Sequence, residues 1–176
     1  MDKKEIIKQR QSKVSKEGGA KEEEVKDILL SDSFIKRNFH IGKPSEVLID
    51  KSYLYISYDS DKAMIDADIC VVRKRDNKLV CVISVKKSFR ERGAQTAYWA
   101  VKVKESKKDF KYILATPDVD KELYNPESPE NKRKWRVILP YECYAVFVYS
   151  YEGKVYEENN FYVGMEYFKE FIKNLA

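Results

Sequence analysis

The run Leu79-Val-Cys-Val-Ile-Ser-Val-Lys86 constrains the fold of this chain more than any other segment. It lacks the alternation of a strand with one wet face, so both of its faces must be covered. Such a strand belongs in the interior of a sheet with helices packed on either side. The lysine that closes the run needs a partner, because an amine stranded in apolar surroundings is costly.

The flanking residues fill in the architecture. Ile69–Arg73 reads as a second strand, joined to the first by a polar turn centred on Asp76-Asn77, which makes an antiparallel hairpin. Ser88-Phe-Arg-Glu91 matches a capping box and opens a helix running to about Ser106. Tyr112–Thr116 is then a strand ended by Pro117. A strand–helix–strand crossover of this kind implies parallel pairing. From Lys21, KEEEVKDILL has acids in its first turn and Val25, Ile28 and Leu29 at helical spacing. Strand-like segments are expected around Val47–Tyr58, at Trp135–Leu139 and at Tyr141–Tyr149, with Pro140 breaking the last two apart. Phe168, Phe171, Ile172 and Leu175 form the apolar stripe of a closing helix. The expected class is α/β: a mixed sheet flanked by helices, in one domain over residues 1–176. Residues 1–20 are read as a loose or helical arm, since Gly18-Gly19 breaks a helix there.

Composition narrows the function classes. With 34 basic and 29 acidic side chains the net charge is +5, a mild bias that permits nucleic acid without arguing for it. No apolar run is long enough to span a bilayer, and MDKKEIIKQRQSK lacks the apolar stretch of a signal peptide, so a cytoplasmic protein is expected. Cys70, Cys81 and Cys143 lie in apolar runs without CxxC spacing and read as buried free thiols. His40 is the sole histidine, which leaves no ligand set for zinc.

Side chains alternate along a strand, so Val82, Ser84 and Lys86 share one face. A hairpin symmetric about Asp76 places Asp68 opposite Ser84, one step along that face from Lys86. An ordinary salt bridge at a hairpin edge accounts for such a pair. So does phosphodiester hydrolysis, in which a carboxylate holds Mg2+ against a phosphate oxygen and a lysine orients and deprotonates the attacking water. In that case the Val85 backbone carbonyl is a further candidate metal ligand.

Asp68 … Ser84-Val85-Lys86 resembles the PD-(D/E)XK nuclease motif, with Ala67 in place of the proline and Ser84 in place of the middle acid. This form resembles one branch of the type II restriction endonucleases. That branch uses an S-x-K triplet, takes its second acid from the following helix, and reads CCGG- or CCNGG-like sites through R-(D/E)-R. Lys86-Lys-Ser-Phe-Arg90-Glu91-Arg92 places that triplet four residues beyond the lysine, and the whole run ISVKKSFRERGAQTAYW is similar to the group.

The resemblance implies a restriction-endonuclease-like core acting on double-stranded DNA with Mg2+ and leaving 5′-phosphates. Asp68, Ser84 and Lys86 would form the catalytic motif. Arg90 and Arg92 would read guanines and Glu91 cytosines, from the first turn of a helix entering the major groove. The chemistry agrees: arginine donates twice to guanine O6 and N7, and glutamate accepts from cytosine N4. A symmetric homodimer on a palindrome and a cognate DNA methyltransferase in the same host are also implied.

One departure concerns the second acid, because residues 93–104 contain neither Asp nor Glu. Gln95 on the same helix, Glu23 or Glu24 on the first helix, and Asp66, which shares parity with Asp68, are the candidates. Other readings are a repair or junction-resolving nuclease of the same fold, a DNA-binding module with a decayed site, and a protein that binds no nucleic acid.

Overall fold

The computed structural model describes residues 19–48, 50–89 and 92–176. The arm expected over residues 1–20 lies outside them up to residue 18. In chain order, helix α1 (residues 19–30) is followed by α2 (Ser33–Asn38), strand β1 (Phe39–Gly42), the short helix α3 (Pro44–Val47) and a 3-10 turn at Lys51–Leu54. Strands β2 (Tyr55–Tyr58), β3 (Asp61–Met64), β4 (Ile69–Arg73) and β5 (Lys78–Val85) come next, then helix α4 (Gly93–Glu105) and strand β6 (Lys111–Thr116). Helix α5 (Lys134–Glu142), strands β7 (Ala145–Val148), β8 (Tyr156–Glu158) and β9 (Phe161–Val163), and helix α6 (Met165–Lys173) complete the order.

Seven strands hydrogen-bond in the order β1-β4-β5-β6-β7-β9-β8, while β2 and β3 pair separately. β5 is antiparallel to β4 and parallel to β6, which gives the expected mixed sheet. Ile69 faces Ile83, Cys70 faces Val82 and Val71 faces Cys81, the register expected for the hairpin. A bulge between Val71 and Val72 shifts the pairing by one toward the turn, so Arg73 meets Lys78. There Asp76 accepts from the Arg73 guanidinium at 2.7 Å, and Asn77 adopts φ 51°.

Both faces of the sheet are covered, as the run on β5 requires. On one face Val82, Tyr112 and Leu114 pack with Phe89, with Ala100 and Val103 of α4, and with Leu139 of α5. On the other Cys81, Ile83 and Ile113 meet Val25 and Leu29 of α1 and Phe168 and Ile172 of α6. Full burial of each large aliphatic or aromatic side chain contributes about 1.5–3 kcal/mol. The three cysteines are buried and free.

Four expected elements differ. Within Val47–Tyr58 only Tyr55–Tyr58 is a strand: Pro44 stands at the first position of α3, and Asp50 accepts from the Ser52 amide to start the 3-10 turn. Trp135–Leu139 lies in α5, not in a strand. A short apolar run reads equally as either element, and here Arg136 and Leu139, three apart, point into the core. Pro140 falls inside the last turn of this helix, and only Ala145–Val148 of the following segment pairs in the sheet. The helix expected from Ser88 begins instead at Gly93.

Candidate active site

β5 runs parallel to β6 as far as Val85, and the Lys86 amide donates to the Ala115 carbonyl at 3.2 Å. The next side chain on the Ser84 face is that of Lys86, which is only 4% exposed. The hairpin register sets Asp68 beside it. Asp68 Oδ2 accepts from the Val85 amide at 2.7 Å and from Lys86 Nζ at 2.9 Å. The carboxylate thus closes the edge where the β4–β5 ladder ends. Asp66 reaches the same ammonium through Oδ2, also at 2.9 Å. It is held in place by buried Ile65 on one side and by the Tyr112 hydroxyl, which donates to the Asp66 carbonyl at 3.0 Å.

Burial draws the Lys86 pKa down, but the charges of Asp68 and Asp66 and their hydrogen bonds outweigh it and leave it above the ordinary lysine value. Lys86 is therefore an ammonium at neutral pH. In this arrangement Nζ donates to both carboxylates. Ser84 is fully buried, with its hydroxyl beside that of Tyr112.

The remaining candidates are dispersed. Gln95 is exposed on α4. Glu24 pairs with Lys21 and Glu23 with Lys26, on a helix whose buried residues belong to the opposite face of the sheet. Glu24 lies near Tyr149, whose phenol is raised by burial first and by that charge second. Arg90 and Glu91 lie outside the described residues. Arg92 is exposed at the N-cap of α4, without a side-chain cap bond.

Arg92, not Ser88, is the N-cap of α4, and before it Phe89 is fully buried with its amide donating to Asp120 Oδ2 at 3.0 Å. Burial of a phenylalanine at about 1.5–3 kcal/mol outweighs an N-cap worth about 1 kcal/mol. Arg92 thus stands at the helix entrance and not within the first turn.

Sequence reasoning missed Tyr112, Asp118 and Asp120. The acids follow Pro117 at the end of β6, and an Asp-x-Asp pair directly after a buried strand is the signal that marks them. Asp118 accepts from the amides of Glu122, Leu123 and Tyr124, while burial pushes its carboxyl up to about 6.

Among the described residues no group of three or more His, Cys, Asp or Glu converges. Two carboxylates at a strand end still suit a hard divalent cation. Mg2+ takes oxygen donors and commonly uses one or two protein carboxylates while keeping several waters. Asp66 and Asp68, with the Val85 carbonyl between Ser84 and Lys86, fit that donor set.

A family model described as BsaWI restriction endonuclease type 2 matches residues 34–174. The chain is 40% identical over 109 residues to “Putative type II restriction enzyme MjaVIP” of Methanocaldococcus jannaschii, across 59% of this chain and 48% of that protein. It is 30% identical over 132 residues to “Probable type II restriction enzyme HpyAORF263P” of Helicobacter pylori, across 69% of this chain and 68% of that protein. The chain thus spans about half the length of the first relative. A crystal structure of the pre-specific restriction endonuclease BsaWI in complex with DNA superposes with a TM-score of 0.61 at 15% identity, covering 98% of this chain and 66% of that one. That likeness establishes a shared fold, the restriction-endonuclease-like core. No described helix is long and apolar enough to cross a membrane.

Proposed function

The chain belongs to the BsaWI restriction endonuclease family, and on that premise we propose that it is a type II enzyme that hydrolyses duplex DNA at a short specific sequence. The observation that carries the reading is the buried Lys86 ammonium held at 2.9 Å by both Asp66 and Asp68 at the end of β5. Asp68 and Asp66, with the Val85 carbonyl, would hold Mg2+, which when bound would supply a Lewis acid for a phosphate oxygen and a lower pKa for the attacking water. Asp66 takes the place of the acid missing from α4, in preference to Gln95 or Glu24.

Lys86 has three donor directions, two of which face carboxylates. Its remaining N–H orients the attacking water and offsets the negative charge that grows on the phosphate. In-line attack leaves a 5′-phosphate. Arg90 and Arg92 read guanines and Glu91 cytosines in a CCGG- or CCNGG-like site, and a symmetric homodimer presents one such segment to each strand. The host's own copies of the site need a cognate methyltransferase, and the enzyme works in the cytoplasm.

A plasmid of known sequence digested with Mg2+ tests this. Discrete bands should map to one short sequence with 5′-phosphate ends, and chelation should abolish them. Asp68→Ala and Lys86→Ala should stop cleavage while leaving salt-dependent DNA binding. A smear without fixed ends, no cleavage, or near wild-type rates in either variant overturns the proposal.

A further inference from the structure

The chain between the chemistry and the start of α4 is held by the loop that follows β6. Val119 donates to the Lys87 carbonyl at 3.3 Å, and two residues further along the Phe89 amide donates to Asp120 Oδ2 at 3.0 Å. The Phe89 carbonyl in turn accepts from the Gly93 amide at 3.3 Å, and the Arg92 carbonyl accepts from both the amide and the hydroxyl of buried Thr96 at 3.2 Å. One path of bonds thus runs from Asp120 through Phe89 to the residue that opens α4.

The loop can serve as an anchor because it is braced from within. The Asp118 carboxylate gathers the amides of residues 122–124, and its backbone sits at φ 51°, a left-handed conformation that aspartate tolerates better than most residues. Asp120 keeps Oδ2 on the Phe89 amide, while its other oxygen, Oδ1, is buried and has no hydrogen-bond partner among the described residues.

We propose that Asp120 is a positioning residue for base recognition: through the Phe89 amide it holds Arg92 at a set distance and angle from Lys86. This rests on the sequence-specific cleavage proposed above. Asp120 touches neither DNA nor the reacting atoms, and it acts through the backbone. A misplacement of about 1 Å in an active site can cost on the order of a hundredfold in rate, and a displaced arginine loses its bidentate geometry first.

The test is the ratio of kcat/KM on an oligonucleotide duplex carrying the mapped site to that on a duplex with one base pair changed. Asp120→Ala should lower this ratio by about tenfold or more, with a thermal midpoint still well above the assay temperature. Asp120→Asn, whose amide oxygen still accepts from Phe89, should restore most of it. If the alanine variant does not fold, Asp120→Ser carries the comparison, since its hydroxyl falls short of the Phe89 amide. A merely structural role would lower both rates together and leave the ratio unchanged, and that result overturns the inference. So does an asparagine variant as impaired as alanine. A wild-type protein that cleaves both duplexes equally overturns the functional reading and this inference with it, whereas a discriminating wild type matched by Asp120→Ala overturns this inference alone.

Discussion

Replacing Lys86 by methionine removes the charge at the end of β5 while keeping most of the apolar length of the side chain. The ammonium stands 2.9 Å from each of two carboxylate oxygens. At an effective dielectric of about 20, each contact is worth on the order of 6 kcal/mol before solvation is counted. Withdrawing the charges from water takes back several kcal/mol per ion, and removing one member of a buried pair costs about 3–5 kcal/mol net. The Asp66 and Asp68 side chains are 25% and 17% exposed, so some hydration and screening survive. The expected loss is accordingly about 2–3 kcal/mol.

The loss should come from repulsion between the two acids, and this makes a sharper demand. Asp66→Asn alone should destabilise the protein, whereas in the Lys86→Met background it should recover about 1 kcal/mol, a reversal of sign that only coupled sites show. Denaturant unfolding of the four proteins at neutral pH and low salt measures both quantities. A Lys86→Met protein within about 0.5 kcal/mol of wild type would refute the reasoning, and so would an Asp66→Asn effect of the same sign in both backgrounds.

Two further outcomes are expected. A methyl group added at Gly93 would stand 2.3 Å from ring atoms of Trp135, so Gly93→Ala should cost about 1–3 kcal/mol by overpacking and shift the tryptophan emission; unchanged stability would mean that the ring yields freely. Burial raises the Asp118 carboxyl from 3.8 to about 6, so the native state keeps a proton that the unfolded chain has lost. Stability should therefore fall as pH rises between those values and level off above them, by at most about 1.4 kcal/mol per pH unit. Thermal midpoints of wild type and Asp118→Asn across that range check this, and a slope that the substitution leaves unchanged would refute it.

The hairpin was legible at residue level. The apolar run on β5 and the polar turn at Asp76-Asn77 were enough to predict Ile69 opposite Ile83 and Asp68 near Lys86. The bulge between Val71 and Val72 did not disturb that end of the ladder. The α4 crossover and its parallel pairing were likewise readable, as were the helix around Val25 and Leu29 and the closing helix around Phe168. Less was legible where one local pattern supports two structures. Trp135–Leu139 has the composition of a strand and the spacing of a helix, and only its packing against α4 and β7 chose between them.

What the sequence determined by itself rests on periodicity and chain proximity. A strand repeats every two residues, so the face shared by Ser84 and Lys86 follows from position, and a short turn then sets Asp68 across from it. What only the tertiary structure decided involves groups brought together from far along the chain. Tyr112 holds the Asp66 backbone, and Asp120 takes the Phe89 amide. The helix start also differs from the local signal: Ser88 offers an N-cap, yet Phe89 is drawn into the core and α4 starts at Gly93. A local cap competes at about 1 kcal/mol, while burial of an aromatic side chain offers up to about 3, and that difference appears only once the rest of the sheet is in place to bury it.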